Sequence, residues 1–253
     1  MDLTEKIGLQ LYTVKEEAAK DFIGTIEKVA AAGYKNIEFA GFFNTPAEKL
    51  KDALDRLSLK AVSSHVDKNM LLNNLDDLIA YHKVIGAKNI VLSWSKTDTL
   101  DDVKDTAELL NSIAPRIQQE GMGLGYHNHG HEFQKIDGTY AIDILFDLTE
   151  KAGVFPQFDV FWIKYAGLDP IDFISKYGSR CRIIHLRDMK KQGERHSTEI
   201  GNGIIDMKRI IQKGLDVGAE YFIVEQESFE RPCLEACKIS YDNLKAMGEQ
   251  MKV

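Results

Sequence analysis

Apolar and polar positions fall into two alternating patterns along this chain. Short runs rich in β-branched residues are each followed by an amphipathic stretch. The runs start at Ile7 (IGLQLYTV), Asn36 (NIEFAG), Lys60 (KAVSSHV), Asn89 (NIVLSWS), Gly123 (GLGYHNH), Phe155 (FPQFDVFW), Arg182 (RIIHLRDM) and Tyr221 (YFIVEQES). Near-continuous apolar runs of this kind suit strands of a parallel sheet, which are buried on both faces. Between the early runs lie FIGTIEKVAAAGY, PAEKLKDALDRLSL, LDDLIAYHKVIGA and VKDTAELLNSIAPRIQQEG. Later come YAIDILFDLTEKAG, PIDFISKYGSR, IIDMKRIIQKGLDVGA and CLEACKISYDNLKAM. Their apolar residues recur at helical spacing, so each predicts a helix with one buried face. Gly33, Gly86, Gly121, Gly153 and Gly218 stand just past the expected last turns, where glycine closes a helix.

Eight such strand–helix units predict an α/β fold, a (β/α)8 TIM barrel. The competing doubly wound sheet often carries a glycine-rich turn after its first strand; here that place reads LYTVKEEAAKD, without GxGxxG. No linker or compositional break divides residues 1–253, which read as a single barrel domain.

Composition narrows the classes of function. The 253 residues suffice for a large core without disulfides. Hydrophobic residues make up 44% and charged residues 28%, ordinary values for a globular chain. The net charge of −7 opposes a phosphate-backbone partner, so nucleic acid is not expected. Three cysteines without framework spacing fit a reducing compartment. Cys233 and Cys237 are one helical turn apart, with no second Cys/His pair near them in sequence. The start, MDLTEKIGLQLYTV, lacks the apolar core of a signal peptide, and no apolar run approaches a membrane span. The expected location is cytoplasmic, with no membrane partner; a homo-oligomer is left open.

The chemistry is carried by ionisable residues at strand ends, where barrels place their active sites. The stretch YHNHGHEF, Tyr126 to Phe133, holds three of the seven histidines. If it stays extended, His127, His129 and His131 point to one face. Glu38, His65, Trp94, Asp159, His185, Glu225 and Glu227 mark the other strand ends. Charges inside apolar strands are costly unless paired or bound to an ion. His127, Asp159, His185 and Glu225 together suit a divalent metal ion: Mn, Zn, Co or, with waters, Mg. The alternative is a buried salt-bridged network without an ion. His82, inside a helix, reads as a surface or satisfied histidine. Lys190–Gly203, which contains His196, reads as either a lid or a solvated loop. Trp94 and Trp162 read either as packing or as faces for a sugar ring.

These motifs resemble the sugar phosphate isomerase/epimerase family, the xylose isomerase-like TIM barrels. That group includes ketose 3-epimerases, inosose dehydratase-type enzymes and endonuclease-IV-type proteins. The resemblance rests on IGLQLYTV, YHNHGHEF, FDVFW, IIHLRDM with EIGNGIIDM, and YFIVEQES, and it covers nearly the whole chain. It implies one divalent metal held by Glu, Asp, His and Glu on strands five to eight. Asp159, His185 and Glu225 match. The fifth-strand position departs, with His127 in place of glutamate and Glu132 five residues later as the alternative ligand. Trp162 replaces a histidine three residues after the aspartate.

The implied reaction removes a proton next to a carbonyl of a sugar or keto-sugar and passes through an enediolate. Glu225, His127, His129 and Glu132 are the candidate catalytic groups. Glu38, His65, Trp94, Trp162, Lys164, Arg187 and Glu227 are the candidate substrate contacts. An isomerase or epimerase is the first expectation. The lack of a second strand-end glutamate keeps open a lyase, a dehydratase or a 3-keto-glycoside-cleaving enzyme. A metal nuclease and a non-catalytic sugar- or metal-binding barrel are further alternatives.

Overall fold

The protein is described here by a computed structural model covering residues 2–251. Eight parallel strands close into a barrel in the sequence order of the chain: Ile7–Gln10, Asn36–Phe39, Lys60–Val66, Asn89–Leu92, Gly123–His127, Phe155–Asp159, Ile183–Leu186 and Tyr221–Val224. Leu9 closes the ring, pairing with Ile37 on the second strand and Val224 on the eighth. All eight expected helices are present: Phe22–Ala31, Ala47–Arg56, Leu75–Ile85, Leu100–Gln119, Ala141–Leu148, Pro170–Tyr177, Met207–Val217 and Cys233–Gln250. Gly86 and Gly218 cap two of them with φ of 78° and 89°, a left-handed turn that a Cβ would strain.

Strand alternation builds two cores. Outward residues such as Leu92, Phe158, Ile184 and Leu186 are buried against the helices. Inward residues Val62, Val91, Phe155, Ile183 and Ile223 fill the lower barrel as a separate apolar cluster. Gly125 makes room for this plug: a Cβ there would lie 2.6 Å from the Phe155 ring. Burying a phenylalanine this completely contributes about 2–3 kcal/mol. Above the plug the inward positions turn polar, with Gln10, Glu38, Ser63 and Gln157, all 0% exposed.

Two strands end earlier than the sequence pattern suggests. The sixth stops at Asp159, whose carboxylate accepts from the Phe161 N–H at 2.8 Å and so starts a short helix, Val160–Tyr165. The fifth stops at His127, and the chain turns through a 3-10 segment at His131–Phe133. Among the described residues no helix is long and apolar enough to cross a membrane.

His82 is a satisfied core residue. Its Nδ1 donates to the Leu78 carbonyl at 2.8 Å, and its Nε2 lies 2.7 Å from the Ser64 hydroxyl. That tautomer is neutral. Burial pushes its pKa down to about 4, against the Leu78 hydrogen bond that pulls the other way. The unfolded chain therefore binds a proton that the folded chain refuses between the usual value of about 6.5 and about 4. The stabilisation is full above the upper value and is lost as pH falls through this window. In urea unfolding, the native chain should lose about 2 kcal/mol more than His82→Gln between pH 7 and 5. Equal losses in the two proteins would show that His82 does not titrate this way.

Candidate active site

The carboxyl ends of the last four strands meet. Ligating atoms of His127, Asp159, His185 and Glu225 lie within 4.8 Å of one another, and all four residues are buried. His65, His127 and His185 form an overlapping group. Register explains the meeting: His127 pairs with Gln157 and Asp159 with His185, so neighbouring strands run out at one level.

His185 is the hub. Its Nδ1 is 2.8 Å from Glu225 Oε2 and its Nε2 is 2.6 Å from Glu38 Oε1. Burial alone would lower its pKa, but Glu38 and Glu225 outweigh that and hold it up at about 10. Glu38 also accepts from Gln10 Nε2 at 2.8 Å, Gln157 Nε2 at 2.6 Å and the Ser63 hydroxyl, with His65 Nε2 at 3.0 Å. Burial pushes its carboxyl up, yet His65 and His185 hold it well below the usual carboxylate range. Glu225 is likewise raised by burial and pulled down further by His185. Asp159 goes the other way: burial and the Glu225 charge raise it, against the pull of Arg187 and His185.

This donor set fits a divalent cation. Asp159 Oδ2 is buried without a hydrogen-bond partner. His127 Nδ1 lies 3.1 Å from Gln157 Oε1, which leaves its Nε2 lone pair free. Burial, and next His65 and His185, push His127 well below its usual pKa and keep it neutral. Two imidazoles and two carboxylates match the donor preferences of Zn²⁺ or Mn²⁺. The Glu38–His185 hydrogen bond is of the kind that fixes a ligating histidine's ring and tautomer.

Over the cluster opens a cavity of about 480 Å³, lined in part by His65, Trp94, His127, His129, Glu225 and Glu227. Trp94 stands at its rim, 54% exposed. His129 Nδ1 has no hydrogen-bond partner, and burial holds this histidine at about 4.

Several expected contacts lie elsewhere. Glu38 is beneath the cavity, as the partner of His185 and not a hydroxyl holder. Glu132 folds back under the loop, where it accepts from the Tyr126 hydroxyl at 2.8 Å and the His129 N–H at 2.9 Å. His131 leaves the common face and reaches the Ser95 carbonyl at 2.9 Å, because the strand ends at His127. Trp162 is buried in the helix after Asp159, its ring 5.5 Å from His129. Lys164 is five residues past Asp159, which on a helix turns it about 140° away. It lines a different cavity with Asp169 and Arg209. Arg187 is buried, donates to Glu227 at 3.0 Å and lies 4.4 Å over the Phe161 ring. His196 is exposed on a segment anchored by the short Asp188–Met189 and Ser197–Thr198 hairpin.

Gln10, Gln157 and Asn128 escape the sequence reading. Gln157 orients both His65 and His127 through Oε1. Asn128 Oδ1 accepts from the Asp159 N–H at 3.0 Å and ties the fifth strand end to the sixth. The signal for the two glutamines was a polar residue at an inward position of an otherwise apolar strand.

A family model for the xylose isomerase-like TIM barrel matches residues 26–251. The chain is 28% identical over 242 residues to an inosose dehydratase of Clostridium perfringens, covering 80% of this chain and 81% of that protein. A sugar phosphate isomerase/epimerase from Parabacteroides distasonis superposes with a TM-score of 0.80 at 24% identity, over 95% of this chain and 94% of that one. The IOLI protein, solved with a zinc atom, superposes with a TM-score of 0.71 at 14% identity, over 97% and 95%.

Calorimetric titration of metal-stripped protein with Mn²⁺ or Zn²⁺ tests the donor set. Asp159→Asn and His185→Ala should each weaken binding by more than about 100-fold, and Glu38→Gln by about 10–100-fold. Lys164→Ala should bind as the native chain does. Native-like affinity in His185→Ala would remove the cluster from consideration.

Proposed function

Because the chain belongs to the xylose isomerase-like TIM barrel family, we propose that it is a metal-dependent lyase, a dehydratase acting on a polyhydroxy ketone of the keto-sugar or inosose kind. The isomerase or epimerase expected first from the sequence gives way to the lyase alternative, which the relatives of assigned function support better. One observation carries the reading. The fifth-strand member of the cluster is an imidazole, His127, and the nearest replacement carboxylate, Glu132, is committed to Tyr126 and the His129 backbone. Inverting a carbon centre needs a second free acid–base group on the opposite face of the substrate. Elimination does not: one group can take the α-proton and hand it to the departing hydroxyl.

His127, Asp159, His185 and Glu225 would hold the metal. Bound there, a divalent cation polarises the substrate carbonyl and acidifies the neighbouring C–H. The chain's own groups do the rest. Glu38 and Gln157 hold the His185 and His127 rings in place. His129 lines the cavity and takes the α-proton as base. The C–H electron pair becomes a carbon–carbon double bond, the β C–O bond breaks, and the hydroxyl leaves with that proton as water. Glu227, held by Arg187, and His65 face the same cavity and bind hydroxyls of the polyol, while Trp94 covers an apolar ring face.

Incubating Mn²⁺-loaded protein with inosose in heavy water should give a product lighter by one water in the mass spectrum. His129→Gln should lower kcat by about 10²–10⁴-fold while metal affinity stays native. A product of unchanged formula, with solvent deuterium at the carbon next to the carbonyl, would overturn the lyase reading in favour of an epimerase or isomerase.

A further inference from the structure

A second cavity, of about 570 Å³, adjoins the first at the mouth of the barrel. The two share Tyr12 and Glu227 in their walls, so these residues mark their junction. The second is built by the segments that follow the first and eighth strands. Its walls combine Tyr12, Phe229, Pro232 and Leu234 with the polar chains of Lys15, Glu16 and Gln226. Tyr12 and Phe229 are 41% and 37% exposed, so two aromatic side chains remain in contact with solvent at one opening.

The charges of this cavity are largely matched within the protein. Glu17 pairs with Lys20 at 2.8 Å, Arg231 with Glu199 at 2.8 Å and Glu227 with Arg187 at 3.0 Å. That leaves Lys15, whose ammonium lies 3.9 Å over the Tyr12 ring, and Glu16, of opposite sign. A cavity without net charge favours a neutral occupant. Aromatic faces bordered by hydrogen-bonding side chains suit a ring with an apolar C–H face and a hydroxylated edge. The first cavity alone is within the size range of a complete small-molecule site.

We propose that the second cavity is a subsite for a second neutral sugar ring, carried as a substituent by the polyhydroxy ketone that reacts in the first, with the junction of the two rings between Tyr12 and Glu227. This rests on the reading of the first cavity as the reacting end. It adds a specificity determinant, Phe229, that takes no part in the chemistry.

The test compares calorimetric affinities of the Mn²⁺-loaded full chain for methyl β-D-glucopyranoside and for cellobiose, as neutral one-ring and two-ring probes. Cellobiose should bind about tenfold tighter, the size of one aromatic contact. Phe229→Ala and the cavity-filling Leu234→Trp should each erase that advantage, bringing cellobiose down to the affinity of the one-ring probe in the same variant. Equal affinities in the native chain, or an advantage that survives both variants, would overturn the inference. So would failure of both probes to bind. If the dehydration of inosose still proceeds in those cases, the reading of the reacting site stands and only the second subsite falls.

Discussion

The imidazole of His185, held between Glu38 and Glu225, is the interaction around which the rest of this molecule is arranged. Both of its ring nitrogens are engaged by carboxylates in a region closed to water. A buried ion of either sign costs several kcal/mol unless its partners are placed with good geometry. Glu38 shows how that placement is achieved. It gathers hydrogen bonds from Gln10, Ser63 and Gln157, so side chains from the first, third and sixth strands all point at one carboxylate of the second. Removing one partner would leave a charge stranded in the barrel. The polar layer is therefore an all-or-none structure.

That layer depends on barrel closure. Because inward positions recur every second residue, an apolar plug below and a chemical layer above can be written on the same strands. Phe155, Gln157 and Asp159 show the progression on the sixth strand: plug, orienting amide, and a carboxylate with one oxygen left without a hydrogen bond. Asp159 Oδ2 is the point where this satisfaction stops. A buried carboxylate oxygen without a hydrogen bond, 3.9 Å from the Arg187 guanidinium and beside two imidazoles and a second carboxylate, belongs to a donor set suited to a cation.

Under the proposed reading, the same geometry would separate reaction classes that share this fold. Epimerisation and elimination both begin with loss of a proton next to a carbonyl. They diverge in what waits on the other side of the substrate. Here the loop after the fifth strand turns Glu132 away and leaves His129 facing the cavity. Fold likeness at the identity of the solved structures speaks only for the barrel, so the distinction rests on those side chains.

The periodicity of the chain by itself determined the eight strands, the eight helices and their closure. Each signal is local: strand and helix periods are set by backbone geometry, and a run such as RIIHLRDM carries its inward histidine wherever the strand goes. It also determined that His127, Asp159, His185 and Glu225 would stand at neighbouring strand ends. Tertiary structure alone decided what each polar group touches. Trp162 closes FPQFDVFW, a run whose pattern predicts one strand, and Lys164 follows two residues later. Asp159 caps a helix instead, and the turn of that helix carries Lys164 away. Glu38 looked like a substrate contact. Only the packing of five strands showed it to be the partner of His185, because the hydrogen bond across the barrel joins residues 147 positions apart. No pattern read along the chain has that reach.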